Sequence, residues 1–162
     1  MEAQRPPTMK VPTLRVRADV VINRPPAVVF RFVAKDFFQN YRRWSPEVLE
    51  LQCITDGPLG VGTTGRQVRV DMGRRTESTF RVTVFEVDRR LDFVGVSDPY
   101  RICYQFKKMD GCTGLRFDFE FNRPGIVFRF LEKPIQTALQ KLGERVVRNI
   151  KRLLESETAG TR

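Results

Sequence analysis

The chain has 162 residues, enough for one domain, and its 41% hydrophobic content with 13 Phe can fill a sizeable core. Lys and Arg number 29 against 19 Asp and Glu, a net charge of +10 that favours encounters with nucleic acid, anionic lipid or acidic partners but speaks to solubility and association rates rather than to fold. Histidine is absent, which excludes any mechanism needing a His base, a Ser-His or Cys-His pair, or a His metal ligand.

Residues 1–11 read as a flexible tail. The first ten, MEAQRPPTMK, lack the apolar run of a signal peptide, and no stretch reaches the roughly 18 apolar residues of a membrane span, so a cytoplasmic location is expected. Thr13 to Ile22 alternates, with Leu14, Val16, Ala18, Val20 and Ile22 on one face and Arg15, Arg17 and Asp19 on the other, the pattern of a half-buried strand. Pro25 and Pro26 suit the first turn of a helix, where a missing N–H costs nothing, and Val28, Val29, Phe32 and Val33 give that helix an apolar side as far as Lys35. Phe37, Phe38, Tyr41 and Trp44 continue at helical spacing up to Pro46, predicting a second short helix that leads into a strand over Val48 to Ile54.

Gly65 to Met72 is the next predicted strand, with Val68, Val70 and Met72 on one face, and Gly73-Arg74-Arg75 is the expected turn to another over Glu77 to Val87. Leu91 to Val96 follows, ended by Ser97-Asp98-Pro99. Tyr100 to Lys108 then sets Tyr100, Ile102, Tyr104 and Phe106 on one face. Asp110-Gly111 is the strongest hairpin signal, and Leu115, Phe117, Phe119 and Phe121 form the apolar face of the last strand. Helical periodicity then takes over, with Ile135, Leu139, Leu142, Val146, Ile150 and Leu153 tracing one stripe as far as Ser156. Pro134 must either start or kink this helix, leaving Ile126 to Leu131 as a separate apolar turn expected to gate a pocket. Nothing divides the chain, so a single ligand-binding domain is expected over 12–156, with a short flexible tail at 157–162.

Chemistry-bearing motifs are sparse. Cys53, Cys103 and Cys112 are odd in number and show no CxxC spacing, so reduced thiols are expected and no metal site is suggested. Gly60-Val61-Gly62-Thr63-Thr64-Gly65 matches GxGxxG, but a strand rather than a helix is predicted after it, which makes it a loop and not a phosphate cradle. Glu86, Asp71 and Arg69 read as exposed residues of a half-solvated sheet, and no catalytic residue is assigned. Lys141, Arg145, Arg148 and Arg152 fall at i, i+4, i+7 and i+11, either a solvated face or a weak contact for anionic membrane. No specific nucleic-acid partner is expected, because no aromatic RNA motif or helix-turn-helix accompanies them. Trp44, the only tryptophan, reads as a packing residue.

The element order, one strand, two short helices, six strands and a long helix, resembles the helix-grip fold of the START-like or SRPBCC superfamily, and within it the polyketide cyclase/dehydrase-like proteins. The carriers are 21–30 (Val-Ile-Asn-Arg-Pro-Pro-Ala-Val-Val-Phe), 41–48 (Tyr-Arg-Arg-Trp-Ser-Pro-Glu-Val), 60–63 (Gly-Val-Gly-Thr), 87–91 (Val-Asp-Arg-Arg-Leu) and 148–155 (Arg-Asn-Ile-Lys-Arg-Leu-Leu-Glu). The resemblance implies an α+β architecture, a curved antiparallel sheet of about seven strands around a long C-terminal helix, and a cavity for lipids, polyketides, hormones or similar hydrophobic ligands. It does not imply one activity. The expectation is a non-catalytic carrier or sensor without cofactor, its cavity lined by Val70, Phe80, Val82, Tyr104, Phe117, Phe119, Phe130, Ile135, Leu139 and Leu142. Two alternatives stay open. One is a polyketide cyclase or dehydratase in which the pocket folds a reactive chain and Tyr104 or a carboxylate such as Glu86 assists proton transfer. The other is a basic surface binder whose pocket is incidental.

Overall fold

In the computed structural model, which describes residues 13–122 and 132–157, the alternating first segment is strand β1 (Thr13–Ile22). Helix α1 begins at Pro26 behind an extended Pro25 and continues after Phe30 as one π-helical turn, Arg31–Lys35, closed by a hydrogen bond from the Asp36 amide to the Arg31 carbonyl at 2.8 Å. Helix α2 (Phe37–Trp44) leads into β2 (Val48–Cys53), β3 (Thr64–Asp71), β4 (Arg74–Glu86), β5 (Arg90–Gly95), β6 (Tyr100–Lys108) and β7 (Thr113–Asn122), and helix α3 (Glu132–Ser156) closes the fold. Pro134 falls in the first turn of α3, where its missing N–H is harmless, so it starts the helix rather than kinking it.

The seven strands form one antiparallel sheet in the order β1-β7-β6-β5-β4-β3-β2, wrapped around α3 with α1 and α2 at one end: the helix-grip fold. The register pairs Val16 with Phe119 and Ala18 with Phe117, so the apolar faces of β1 and β7 coincide. Helix α3 reaches this wall at Gly143, where a Cβ would come within 2.6 Å of Val16 Cγ1. Its long polar side chains also satisfy the free edge of β1: Gln136 Nε2 donates to the Arg15 carbonyl at 2.6 Å, Gln140 Nε2 to Arg17 at 2.8 Å and Lys151 Nζ to Val21 at 2.7 Å. That edge is thereby closed to a further strand.

The turn after β3 differs from the expected Gly73-Arg74-Arg75. Met72 and Gly73 take φ of 50° and 76°, the primed geometry that matches strand twist, and β4 begins at once with Arg74. The GxGxxG segment runs through a turn directly into β3 at Thr64, with no helix after it. All three cysteines are free. Among the described residues no helix is long and apolar enough to cross a membrane. The expected turn Ile126 to Leu131, Phe130 included, and both tails, up to Pro12 and after Glu157, lie outside the described residues.

Candidate interior binding site

Alternation along β4 to β6 turns Phe80, Phe93, Tyr100, Ile102 and Tyr104 inward, and α2 lays Phe37 and Tyr41 against them. Together with Gln67 of β3 these eight residues line a void of about 10 Å³, room for a single hydroxyl-sized group. Two of the ring pairs meet edge to face, Phe37 with Phe80 at 5.9 Å and Phe80 with Phe93 at 5.3 Å between centroids, as ring quadrupoles prefer, while Phe37 stacks on Tyr41 at 4.6 Å.

The polar members sit together. Gln67 is 4% exposed, and its Nε2 donates to Ser78 Oγ at 3.2 Å and to the Tyr100 hydroxyl at 3.4 Å, while its Oε1 is buried with no hydrogen-bond partner. Arg69, next inward on β3, donates Nη1 to the Tyr41 hydroxyl at 3.2 Å and grips Asp71 in a bidentate pair, Nε to Oδ2 at 2.7 Å and Nη2 to Oδ1 at 3.0 Å. Burial works against the guanidinium charge, but the Tyr41 hydroxyl and the Asp71 carboxylate outweigh it and its pKa is raised. Burial pushes the Tyr100 hydroxyl up to about 12 and raises that of Tyr104 as well, so both are held protonated. The Trp44 indole N–H, fully buried among Phe32, Phe37 and Tyr41, lies beside the Tyr104 hydroxyl but has no partner at hydrogen-bond geometry.

The residues expected to line a cavity are thus distributed unevenly. Phe80 and Tyr104 meet in the void. Val82 is fully buried core, Phe117 packs against Tyr104 at 5.2 Å, and Phe119 stacks on Tyr100 at 6.2 Å. Ile135 and Leu139 are half-buried on α3, and Leu142 lines an open groove of about 460 Å³ along that helix with Ala138, Lys141, Glu144, Arg145 and Arg148. Val70 is a correction: with Gln67 and Arg69 facing inward, alternation puts Val68, Val70 and Met72 on the outer face. Val68 is nevertheless 1% exposed, because it lies between Glu50 and Glu77, whose carboxylates Arg66 bridges at 3.3 and 2.6 Å.

Arg69 is likewise not an exposed residue; its side chain is 17% exposed and belongs to the inner wall. Glu86, by contrast, is exposed at the end of β4. Phe37, Tyr41, Gln67, Phe93, Tyr100 and Ile102 were missing from the expected lining. The available signal was Gly65: a Cβ there would meet Phe80 Cζ at 2.3 Å, so a glycine near the start of a strand marks the face against which an aromatic ring lies. The four basic residues of α3, Lys141, Arg145, Arg148 and Arg152, are exposed, and Arg145 is ion-paired with Glu47. Among the described residues no group of three or more Cys, Asp or Glu is placed to hold a metal ion.

A sequence family described as polyketide cyclase/dehydrase and lipid transport matches residues 13–155. Solved structures with the same fold include the Zhui aromatase/cyclase from Streptomyces sp. R1128, 12% identical with a TM-score of 0.76 over 93% of this chain and 99% of that one. TTHA0849 from Thermus thermophilus is 21% identical with a TM-score of 0.72, over 91% of this chain and 99% of that one. The polyketide-cyclase-like protein Cgl2372 from Corynebacterium glutamicum is 22% identical with a TM-score of 0.60, over 91% and 94%. At these identities the likeness establishes the fold alone. No curated protein matches the chain in sequence.

Proposed function

The chain belongs to the polyketide cyclase/dehydrase and lipid transport family, and from that premise we propose that it holds a hydrophobic small molecule, lipid or polyketide-like, between the sheet and α3 as a non-catalytic carrier or sensor. The observation that carries this reading is the inner wall itself: seven of the eight residues around the void are aromatic or aliphatic, the composition of a ligand pocket. A void of about 10 Å³ is too small for such a ligand, so binding displaces side chains. The place to give is the N-terminal half of α3, where Ile135, Leu139 and Leu142 are only half-buried while Val146, Val147, Ile150 and Leu154 are buried. Native mass spectrometry of gently purified protein, followed by organic extraction, is expected to show a co-purifying apolar ligand. Absence of any ligand, with no binding across a panel of lipids and polyketides, overturns the proposal.

A second reading, a cyclase or dehydratase, draws support from Arg69 and Tyr41 standing together on the inner wall. Glu86 is exposed, and burial keeps the Tyr104 hydroxyl protonated, so Arg69 and Tyr41 are the better candidates to orient a poly-carbonyl chain. Turnover of such a chain by the wild type, lost in Tyr41→Phe, is its test; equal rates with buffer alone remove it. The exposed basic side of α3 is proposed as at most a weak anionic membrane contact, to be checked by vesicle binding that falls steeply with salt.

A further inference from the structure

The apolar wall of the interior is interrupted at one place, and the interruption is chemically incomplete. Gln67 is buried to within a few per cent on β3, directly opposite Ser78 of β4, and both reach toward the Tyr100 hydroxyl of β6. Three strands thus converge a carboxamide and two hydroxyls on one spot bordering the void. Gln67 Oε1 has no partner there, and leaving a buried acceptor unsatisfied is costly enough that such groups are rare.

Resting on the container reading above, we infer that Gln67, Ser78 and Tyr100 form a seat for the neutral hydroxyl of a phenolic or alcoholic ligand. The choice of ligand follows from donors and acceptors. Gln67 Oε1 requires a donor, which a hydrocarbon, an ether or a ketone does not bring. If the amide is turned over, Nε2 becomes the orphan and requires an acceptor; a hydroxyl both donates and accepts and so satisfies either orientation. A carboxylate only accepts, and it would need a cation. The one on this wall, Arg69, already has its Nε and Nη2 on Asp71 and its Nη1 on Tyr41. Three of its five N–H groups are thus committed and its charge is already balanced by the Asp71 carboxylate, so an anionic headgroup would compete with Asp71 for it, whereas a neutral hydroxyl needs no countercharge. The void bordering the seat, about 10 Å³, matches one hydroxyl rather than a carboxylate.

The experiment compares three probes of one shape, naphthalene, 2-naphthol and 2-naphthoate, by calorimetric titration at pH 7. The wild type is expected to bind 2-naphthol about tenfold or more tightly than either of the others, because a site built to bond a hydroxyl leaves its own polar groups unpaired with the analogue. Gln67→Leu removes the preference and leaves naphthalene binding equal or tighter. Tyr100→Phe, which deletes one oxygen, reduces it and serves where Gln67→Leu unfolds. Equal affinity for naphthalene and 2-naphthol in the wild type overturns the seat while leaving the container intact. So does a preference for 2-naphthoate, or a preference for 2-naphthol that survives both substitutions. Failure of all three probes to bind, together with a silent lipid and polyketide panel, overturns the container reading itself.

Discussion

The interior has two differently built parts, one where the C-terminal half of α3 closes on the sheet and one where α2 lies against it around the void, and they behave as different materials. Toward the C-terminal end of α3, Ile150 and Leu154 belong to the same buried core as Ile22, Val29, Phe30, Val33 and Leu115, most of them fully buried, and the buried polar residue there, Thr113 opposite Ile22, has its hydroxyl satisfied by donating to the Arg24 carbonyl at 2.8 Å. Around the void, α2 supplies Phe37 and Tyr41 and the inner face of the sheet carries Gln67, Ser78, Arg69 and Tyr100, while Ile135, Leu139 and Leu142 in the N-terminal half of α3 are half-buried. The first arrangement is the close-packed solid of a folding core. The second combines looser helix burial with an unsatisfied acceptor, the features expected where a ligand completes the structure. One sheet can therefore supply stability in one part and a site in the other, although both belong to one contiguous core.

That contrast can be broken by substitution. Ile150→Ala, at 0% exposure, is expected to destabilise by about 2–5 kcal/mol in urea unfolding through lost burial and the cavity left behind, while Leu139→Ala costs about 1 kcal/mol or less. Comparable losses at the two sites would show that the ends are packed alike and would end the comparison.

The outer face of β5 provides a reference independent of either end. Asp92 is 0% exposed there and accepts from Arg90 at 2.8 and 2.7 Å and from Arg101. Burial alone would raise its pKa, but the hydrogen bonds from Arg90 and Arg101 prevail and hold it below the ordinary carboxylate value of 3.8. A depressed folded pKa contributes stability that is complete above 3.8 and is lost as pH falls below it through the folded value. Asp92→Asn is expected to cost about 1.5–3 kcal/mol at pH 7 and to flatten the acid limb of the stability curve, with ligand affinity unchanged. A change in affinity would mean that the two faces of the sheet are coupled.

Gly65→Ala sharpens the comparison from the loose end. The added methyl meets the Phe80 ring, so the ring must shift into the void, at a cost of about 1–3 kcal/mol. Ligand affinity should fall more than stability does. A smaller effect is expected from Tyr100→Phe, about 0.5–1.5 kcal/mol by thermal unfolding, since one hydroxyl and its contacts with Gln67 and Ser78 are lost. Saturation with a ligand at about 100 times its Kd should stabilise the wild type by roughly 2.7 kcal/mol, which gives the scale against which each of these losses is read.

Residue patterning alone dictates the element order, the Asp110-Gly111 hairpin and the inward faces of β1, β6 and β7, because in those strands apolar residues dominate the inward positions and the period is unambiguous, while the curved seven-stranded sheet is implied by the family resemblance. Local chemistry suffices there: alternation, prolines and a helical stripe act over a few residues. Strand β3 is different, and its orientation emerges from long-range packing. Its apolar residues Val68, Val70 and Met72 mark the outer face, where crossing Arg and Glu side chains supply the cover, and its polar residues Gln67 and Arg69 mark the inner one. Periodicity reports that a strand has two unlike faces but not which faces the helix. That choice is made by partners far away in the chain, Tyr41, Ser78, Phe80 and Tyr100, whose hydrogen bonds and ring contacts make it favourable to bury an amide and a guanidinium inside.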